Sequence, residues 1–208
     1  MSRHLSSARI GLDLDNTLIS YDRLFYEVAV ESGFVGKEFV GSKREIRDYV
    51  RLLPDGEIEW QRLQAQVYGP AIGRASAAPG ALEFVRTARA YGAELTIVSH
   101  KTAFANMGTQ PVNLRDAARA WLLASGMVGP DAVPESSVYF ESTRAEKIDR
   151  IIALSCTHFI DDLEEVFDDP AFPPNVERLL LSSAATVPNL PYQTYASFRE
   201  VAHAFERR

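Results

Sequence analysis

The stretch that most constrains the fold of this chain is residues 10–18, which read Ile-Gly-Leu-Asp-Leu-Asp-Asn-Thr-Leu. An apolar run begins at Ala8 and ends in polar residues, as expected for a buried strand that stops at a polar site. Because alternate side chains of a strand leave on the same face, Asp13 and Asp15 are predicted to project together from its carboxyl end. Two such carboxylates repel each other unless a cation or a shared proton relieves them. The pair is therefore a candidate for Mg²⁺ binding and for nucleophilic and acid/base chemistry.

Two other structures contain an Asp-x-Asp-Asn run. A turn held by Asx hydrogen bonds is one, and the run alone leaves it open. A calcium loop of the EF-hand type is the other, but it needs Gly at its sixth position and Glu at its twelfth, where this chain has Leu18 and Leu24. The sequence therefore argues against calcium.

Composition places the chain among soluble globular proteins. Of its 208 residues, 46% are hydrophobic and 24% are charged, so we expect one domain or a core domain with a small insertion. The formal net charge of −6 argues against nucleic-acid and anionic-membrane partners, because both need a basic face. No run approaches the ~20 apolar residues of a membrane span, and residues 1–9 lack an apolar signal core. We expect a cytoplasmic protein with a packed, unpaired Cys156; the oligomeric state is not readable.

Helix and strand patterns divide the chain into a core and an insertion. Residues 20–78 show helical spacing without a strand pattern, and helices are predicted around residues 24–29, 39–53 and 58–68. In the remainder, strands and helices alternate. Strands are predicted at 93–98, 138–140, 157–160 and 176–181, and helices at 80–91, 113–125, 143–153 and 195–205. This alternation predicts an α/β fold with a parallel, doubly wound sheet formed by residues 1–19 and 79–208.

Three of the predicted strands end in residues capable of chemistry. Asp13 and Asp15 follow the first strand, Ser99 follows the second, and Asp161 and Asp162 follow the fourth. In doubly wound sheets, ligands bind beyond the carboxyl ends of the strands. We therefore expect these side chains to converge on one crevice.

A lysine near these strands occupies an unusual position. The pattern Thr143-x-x-Glu146 predicts a capping box, which puts Lys147 in the first turn of a helix. A cation there is disfavoured by the helix dipole, by about 0.3–1 kcal/mol. Nearby anions such as Asp13 would offset this cost; a solvated pair with Asp149 is the alternative.

Taken in order, these segments resemble the four motifs of the haloacid dehalogenase-like (HAD) superfamily. The matching residues are Asp13-Leu14-Asp15-Asn16-Thr17, Ser99, Lys147 and Asp161-Asp162. The resemblance implies a Rossmann-like core with strand order 5-4-1-2-3, Mg²⁺ as cofactor, and chemistry through an aspartyl intermediate. The place of residues 20–78, between the first two motifs, resembles a C1-type cap.

The resemblance also implies a role for each residue. Asp13 would attack phosphorus, and Asp15 would protonate the leaving oxygen, activate water and ligate Mg²⁺ through its carbonyl. Family members that cleave carbon–halogen bonds lack an acid at the second position, so Asp15 favours phosphoryl transfer. Ser99 would donate a hydrogen bond to a phosphoryl oxygen. Asp162 would bind the metal directly, and Asp161 would act beside it or through water.

We therefore expect an Mg²⁺-dependent phosphatase that hydrolyses a small phosphorylated metabolite. A phosphomutase or phosphotransferase using the same residues, or a non-catalytic phospholigand-binding protein, are the alternatives. A stripe of cations on the second predicted insertion helix reads most simply as a solvated face. Contact with substrate is left open by the sequence for this stripe and for two loop residues: Lys43, Arg47, Arg51, His100 and Lys101.

Overall fold

A computed structural model describes residues 5–105, 112–182 and 190–206. By its internal packing the chain forms two units. The first comprises Met1–Ile19, Ala77–Lys101 and Leu123–Arg208, and the second comprises Ser20–Ser76 and Thr102–Leu122. Within the described ranges, no helix combines the length and the apolar character needed to cross a membrane.

The helices and strands follow one another along the chain as the alternating patterns predict. The described strands are β1 (Arg9–Leu12), β2 (Ile19–Ser20), β3 (Ser76–Ala77), β4 (Glu94–His100), β5 (Val138–Glu141), β6 (His158–Asp161), β7 (Glu177–Leu181) and β8 (Gln193–Tyr195). The described α-helices are α1 (Asp22–Glu31), α2 (Lys43–Arg51), α3 (Gly56–Tyr68), α4 (Ala81–Ala90), α5 (Leu114–Ala124), α6 (Arg144–Ala153), α7 (Glu164–Phe167) and α8 (Phe198–Glu206). Strands β2 and β3 form a separate two-stranded sheet.

The first unit is built on a parallel sheet with strand order β5-β4-β1-β6-β7-β8. Every pairing in it is parallel, and β1 lies in the interior between β4 and β6. When the five predicted strands are numbered along the chain, their observed order from β7 to β5 is the predicted 5-4-1-2-3. The predicted α/β fold with a parallel, doubly wound sheet is confirmed.

The edge strand β8 corrects one prediction. Residues 195–205 were expected to form a helix, but Tyr195 pairs with Leu181 in the sheet and α8 begins only at Phe198. Strand β7 would otherwise present a row of unpaired amide and carbonyl groups along its outer side. Pairing with β8 satisfies those groups, and Tyr195 is 8% exposed there.

Strand β1 is buried on both faces, which accounts for its nearly uniform apolar sequence. Ile10 and Leu12 are fully buried, and burial of each such side chain contributes about 1.5–3 kcal/mol. Gly11 between them is required by close packing, because a Cβ there would overlap the ring of Phe159 on β6. Cys156 lies against the same position, and burial raises the pKa of its thiol to about 11.

Helix α6 is held against one face of the sheet by an apolar cluster. Val98 on β4, Phe159 on β6 and Leu180 on β7 pack with Ile148 and Ile151 of the helix. All five side chains are fully buried. This packing fixes the first turn of α6 over the carboxyl ends of the central strands.

The second unit contains the three helices predicted for the insertion. Helix α2 begins at Lys43, whereas the prediction began it at residue 39. The reason is a capping box: the Ser42 hydroxyl accepts the Glu45 amide, and the Glu45 carboxylate accepts the Ser42 amide. The packing of α1 and α3 is aromatic, with Phe25 stacked on Trp60 at 5.3 Å between ring centroids.

Residues 102–122 also belong to the second unit. The indole nitrogen of Trp121, on α5, donates a hydrogen bond of 3.0 Å to the carbonyl of Ala75. Trp121 is 4% exposed and so is part of the unit's core. The division into a catalytic core (1–19 and 79–208) and a cap (20–78) stays a prediction.

We expect Gly11→Ala to destabilise the protein by about 1–3 kcal/mol, because the added methyl group overpacks the β1–β6 interface. Thermal unfolding followed by circular dichroism measures the loss. Gly73→Ala is the matched control, since nothing lies within 4 Å of a Cβ built there. Equal unfolding temperatures for the two variants would contradict the assignment of Gly11 to a close approach.

Candidate active site at the carboxyl edge of the sheet

Two carboxylates are brought together by the register of the central strands. Leu12 on β1 is opposite Ile160 on β6, and the Asp13 amide donates to the Ile160 carbonyl at 2.9 Å. Asp13, which follows the last residue of β1, and Asp161, the last residue of β6, are therefore level with each other. They are 4% and 0% exposed.

Lys147 lies between these two carboxylates. The predicted capping box is present at Thr143 and Glu146, so Lys147 occupies the first turn of α6. Its ammonium donates to Asp13 Oδ1 and to Asp161 Oδ2, at 2.7 Å in each case. The side chain is 1% exposed. The solvated alternative is thus wrong, because the amine is buried against two acids.

The charges of this site are strongly coupled. Burial alone lowers the pKa of Lys147, but the carboxylates of Asp13 and Asp161 outweigh it and raise that pKa above its ordinary value. Burial raises the pKa of Asp13 well above its ordinary value, Asp161 and Asp162 raise it further, and Lys147 only partly offsets them. The single ammonium group of Lys147 therefore cannot neutralise the charge that all the neighbouring carboxylates would carry when ionised.

A third carboxylate completes an acidic cluster. One oxygen atom from each of Asp13, Asp161 and Asp162 lies within 4.8 Å of the others. Burial first, and then the charge of Asp161, raise the pKa of Asp162 to about 7. Oxygen ligands in this number and spacing are suited to a hard divalent cation such as Mg²⁺.

The turn after β1 supplies a neutral partner for the cluster. The Leu14 carbonyl accepts the Leu18 amide at 2.9 Å, and Asn16 adopts a left-handed conformation with φ of 61°, which Asn tolerates better than most residues. This turn places the fully buried Thr17 so that its hydroxyl donates to Asp162 Oδ1 at 3.2 Å. Thr17 is not among the individual site residues predicted from the sequence.

Asp161 and Asp162 are held differently. Both oxygens of Asp161 accept hydrogen bonds from the protein, Oδ2 from Lys147 and Oδ1 from the Leu163 amide at 3.0 Å. Asp162 accepts the Thr17 hydroxyl and is less deeply buried. Asp161 is thus anchored as a partner of the lysine, while Asp162 is better placed to take a metal.

Asp15 is paired with a second buried lysine. Lys101 Nζ donates to Asp15 Oδ2 at 2.7 Å, and Lys101 is 4% exposed. The Lys101 amide donates to the Glu141 carbonyl at 2.8 Å, which continues the β4–β5 pairing. The available sequence signal was strand alternation, since Lys101 follows Ser99 by two positions and should share its face.

The other candidate residues lie as follows. The β1–β4 register sets Leu12 opposite Ile97, and Ser99 lies two residues further along β4; Ser99 is 1% exposed. His100 is exposed, and its Nε2 lies 3.0 Å from the Ser142 carbonyl. The cations of the predicted stripe are all on α2, in the second unit: Lys43, Arg47 and Arg51.

Comparison with known proteins bears on the fold. No protein-family model and no curated protein matches the sequence. Solved structures do resemble it: a HAD-superfamily hydrolase from Ehrlichia chaffeensis has a TM-score of 0.57 at 14% identity, covering 100% of this chain and 98% of that one. A HAD family hydrolase from Deinococcus radiodurans R1 with bound phosphate and sodium has a TM-score of 0.57 at 16% identity, covering 98% and 96%.

A third similar structure is a predicted phosphoglycolate phosphatase from Haemophilus somnus 129PT, with a TM-score of 0.54 at 13% identity, covering 95% of this chain and 97% of that one. Structures described as dehalogenases are also similar, with TM-scores of 0.53 and 0.55 at 12% identity. At such identities the comparisons show the fold, which is that of HAD-superfamily hydrolases, as predicted.

Replacement of Asp162 by Asn should stabilise the metal-free protein at pH 8. The pKa of Asp162 is raised from 3.8 to about 7, so its contribution to stability is complete below the unfolded pKa and is lost as the pH rises through about 7. Removing the charge should therefore raise the free energy of unfolding at pH 8 by up to about 4 kcal/mol, at about 1.4 kcal/mol for each unit of pKa shift.

Thermal unfolding in EDTA at pH 5 and pH 8 provides the measurement, and the difference between variant and wild type should grow with pH. Asp131→Asn, an exposed acid of the same unit, is the control and should show no such trend. A stability difference independent of pH would refute the coupling of Asp162 to the cluster.

Proposed function

We propose that this protein is an Mg²⁺-dependent phosphatase that hydrolyses a small phosphomonoester through an aspartyl-phosphate on Asp13. The observation that carries the proposal is the buried ammonium of Lys147 between Asp13 and Asp161, beside a third carboxylate. Such an arrangement provides a nucleophile, a fixed positive charge and a place for a divalent cation in one crevice. The HAD-like fold supports this chemistry by analogy.

The acidic cluster fits the metal that the proposal requires. Asp13 and Asp162 would bind Mg²⁺ through their carboxylates, and Asp15 through its backbone carbonyl. Asp161, with both oxygens engaged by the protein, would orient Lys147 and reach the metal through water. When bound, Mg²⁺ neutralises charge on the transferring phosphoryl group.

The first step is attack by Asp13. Lys147 holds Oδ1 of its carboxylate, which favours the ionised form and leaves Oδ2 as the attacking atom. A bond forms between Oδ2 and phosphorus as the bond from phosphorus to the ester oxygen breaks. The ester oxygen takes a proton from Asp15 and departs as an alcohol, while Ser99 donates to a phosphoryl oxygen.

The second step regenerates the enzyme. Asp15, now ionised, removes a proton from a water molecule, and the resulting hydroxide attacks phosphorus. The bond between phosphorus and Oδ2 of Asp13 breaks, which releases inorganic phosphate. Lys101 holds Oδ2 of Asp15, so the other oxygen, Oδ1, is the atom that carries the proton in both steps.

Asp15 also bears on the choice between phosphatase and dehalogenase. Some of the similar structures are described as dehalogenases, and a halide leaving group requires no proton. An alkoxide leaving group does require one at neutral pH. A carboxylic acid two residues after the nucleophile therefore favours phosphoryl transfer.

Mutation of Asp13 tests the proposed reaction. The purified protein with Mg²⁺ should release phosphate from p-nitrophenyl phosphate, and Asp13→Asn should reduce kcat by about 10³-fold or more because the nucleophile is lost. EDTA should abolish the activity of the wild type, and Asp131→Asn should retain it. Full activity in Asp13→Asn would rule out this mechanism.

The same assays separate the alternatives. Isomerisation of sugar phosphates without free phosphate would identify a mutase. Halide release from haloacids, with no hydrolysis of phosphate esters, would identify a dehalogenase. Binding of phosphate esters without turnover would identify a non-catalytic phospholigand-binding protein.

Lys101 is expected to act as a positioning residue for Asp15. Lys101→Met should lower kcat by about 10–100-fold with little change in KM, because Asp15 loses the contact that orients it. Lys101→Arg should recover part of the rate. Lys37→Met, at an exposed lysine of the second unit, is the control. A rise in KM as large as the fall in kcat, or an unchanged kcat, would argue against this role.

A further inference from the structure

A cavity of about 570 Å³ lies in the second unit, and none of its lining residues belongs to the acidic cluster. Four of its six lining residues are cations, and the full set is Lys43, Arg44, Arg47, Arg51, Trp60 and Gln64. Its volume is within the range of small-molecule sites. We infer that this cavity binds a small organic anion that carries at least two negative charges on phosphate or carboxylate groups.

The cations share one face of α2, the helix over Lys43–Arg51. Lys43, Arg47 and Arg51 are spaced four residues apart, and Arg44 precedes Arg47 by three. Residues at these spacings are neighbours on a helix surface, where like charges repel. This concentration of positive charge is local, since the whole chain has a formal net charge of −6.

Two of these cations oppose the needs of the helix itself. Lys43 and Arg44 are in its first turn, where the helix dipole favours acids and disfavours cations. Glu45 satisfies the capping box in the same turn, so capping does not require the cations. An anion in the cavity would offset both the repulsion and the unfavourable interaction with the dipole.

Two residues of the cavity wall, Lys43 and Trp60, are held in place before any ligand arrives. Lys43 Nζ donates to the Tyr68 hydroxyl at 2.7 Å and lies 4.9 Å from the centre of the Phe25 ring, so a cation–π contact holds it. Trp60 is 3% exposed and stacks on Phe25. Preorganised walls reduce the entropy lost on binding.

The existing ion pairs of the arginines do not prevent this binding. Arg47 pairs with Asp48 at 2.8 Å, and Arg51 pairs with Glu57 at 2.7 Å. Both acids are more than half exposed, and such surface pairs are weak. Each guanidinium has five N–H donors and can accept a second, bidentate anionic partner.

An anion of this class could come from two sources. It could be the far end of the substrate, which rests on the proposed function, or a separate effector molecule. The two sources share their chemistry, so binding at the cavity is tested first.

Titration with pyrophosphate in buffer freed of metal ions by a chelating resin, followed by calorimetry, tests the site without any turnover. Pyrophosphate should bind the wild type, and the double variant Arg47→Gln/Arg51→Gln should bind it about tenfold or more weakly, since two charge-assisted contacts are lost. Acetate, with a single charge, should bind far more weakly than pyrophosphate.

The matched control is Arg23→Gln/Arg62→Gln. It removes the same charge from the same unit at side chains that are 85% and 60% exposed and do not line the cavity. The control should bind like the wild type. Equal weakening in both double variants, or no binding by the wild type, would overturn the site, and neither result depends on phosphatase activity.

Kinetics then identify the source. If the anion belongs to the substrate, Arg47→Gln/Arg51→Gln should raise KM about tenfold for phosphomonoesters whose leaving group is anionic. The KM for p-nitrophenyl phosphate should stay the same. If it is an effector, pyrophosphate binding is lost in the variant while the KM values of both esters stay the same. Either result supports the site and identifies which of the two sources supplies its anion.

Discussion

The burial of Lys147 between Asp13 and Asp161 is the interaction on which the candidate site depends. It joins the end of β1 to α6 and β6, two consecutive elements that are far from β1 in sequence, through hydrogen bonds of 2.7 Å. Burying these charges costs desolvation free energy that their mutual attraction returns only in part. Removing the lysine would leave adjacent carboxylates uncompensated. The arrangement therefore supports the role proposed for Asp13 more than a purely stabilising one.

Much of this arrangement could be predicted because it follows from local periods and from topology. The alternation of strands and helices predicts a parallel sheet, and parallel strands bring Asp13 and Asp161 to the same edge. The capping box at Thr143 and Glu146 fixes the start of α6 within one residue, which places Lys147 in the first turn. Each step needs only the spacing of residues near one another in the chain.

The remaining features depend on partners that the sequence does not identify. Lys101 meets Asp15 across 86 positions of sequence; strand alternation with Ser99 predicts which face Lys101 is on, but it does not identify Asp15 as the partner. Strand β8 exists because the outer edge of β7 needs a partner, so its three residues are defined by pairing more than by their own propensity. Helix α2 starts at Lys43 because the capping box of Ser42 and Glu45 fixes its first turn. The apolar Phe39, which the prediction included in the helix, lies before that start.

The net charge of −6 conceals two opposite local concentrations. The acidic cluster of the first unit is short of positive charge, and α2 of the second unit presents cations on one face. A whole-chain sum argues against long polyanions, which need an extended basic surface. It says nothing about a small anion, whose charges are met by a few side chains within a Debye length. Each unit thus stores repulsion that a bound ligand of opposite charge would relieve, and binding to the folded state alone stabilises that state by mass action.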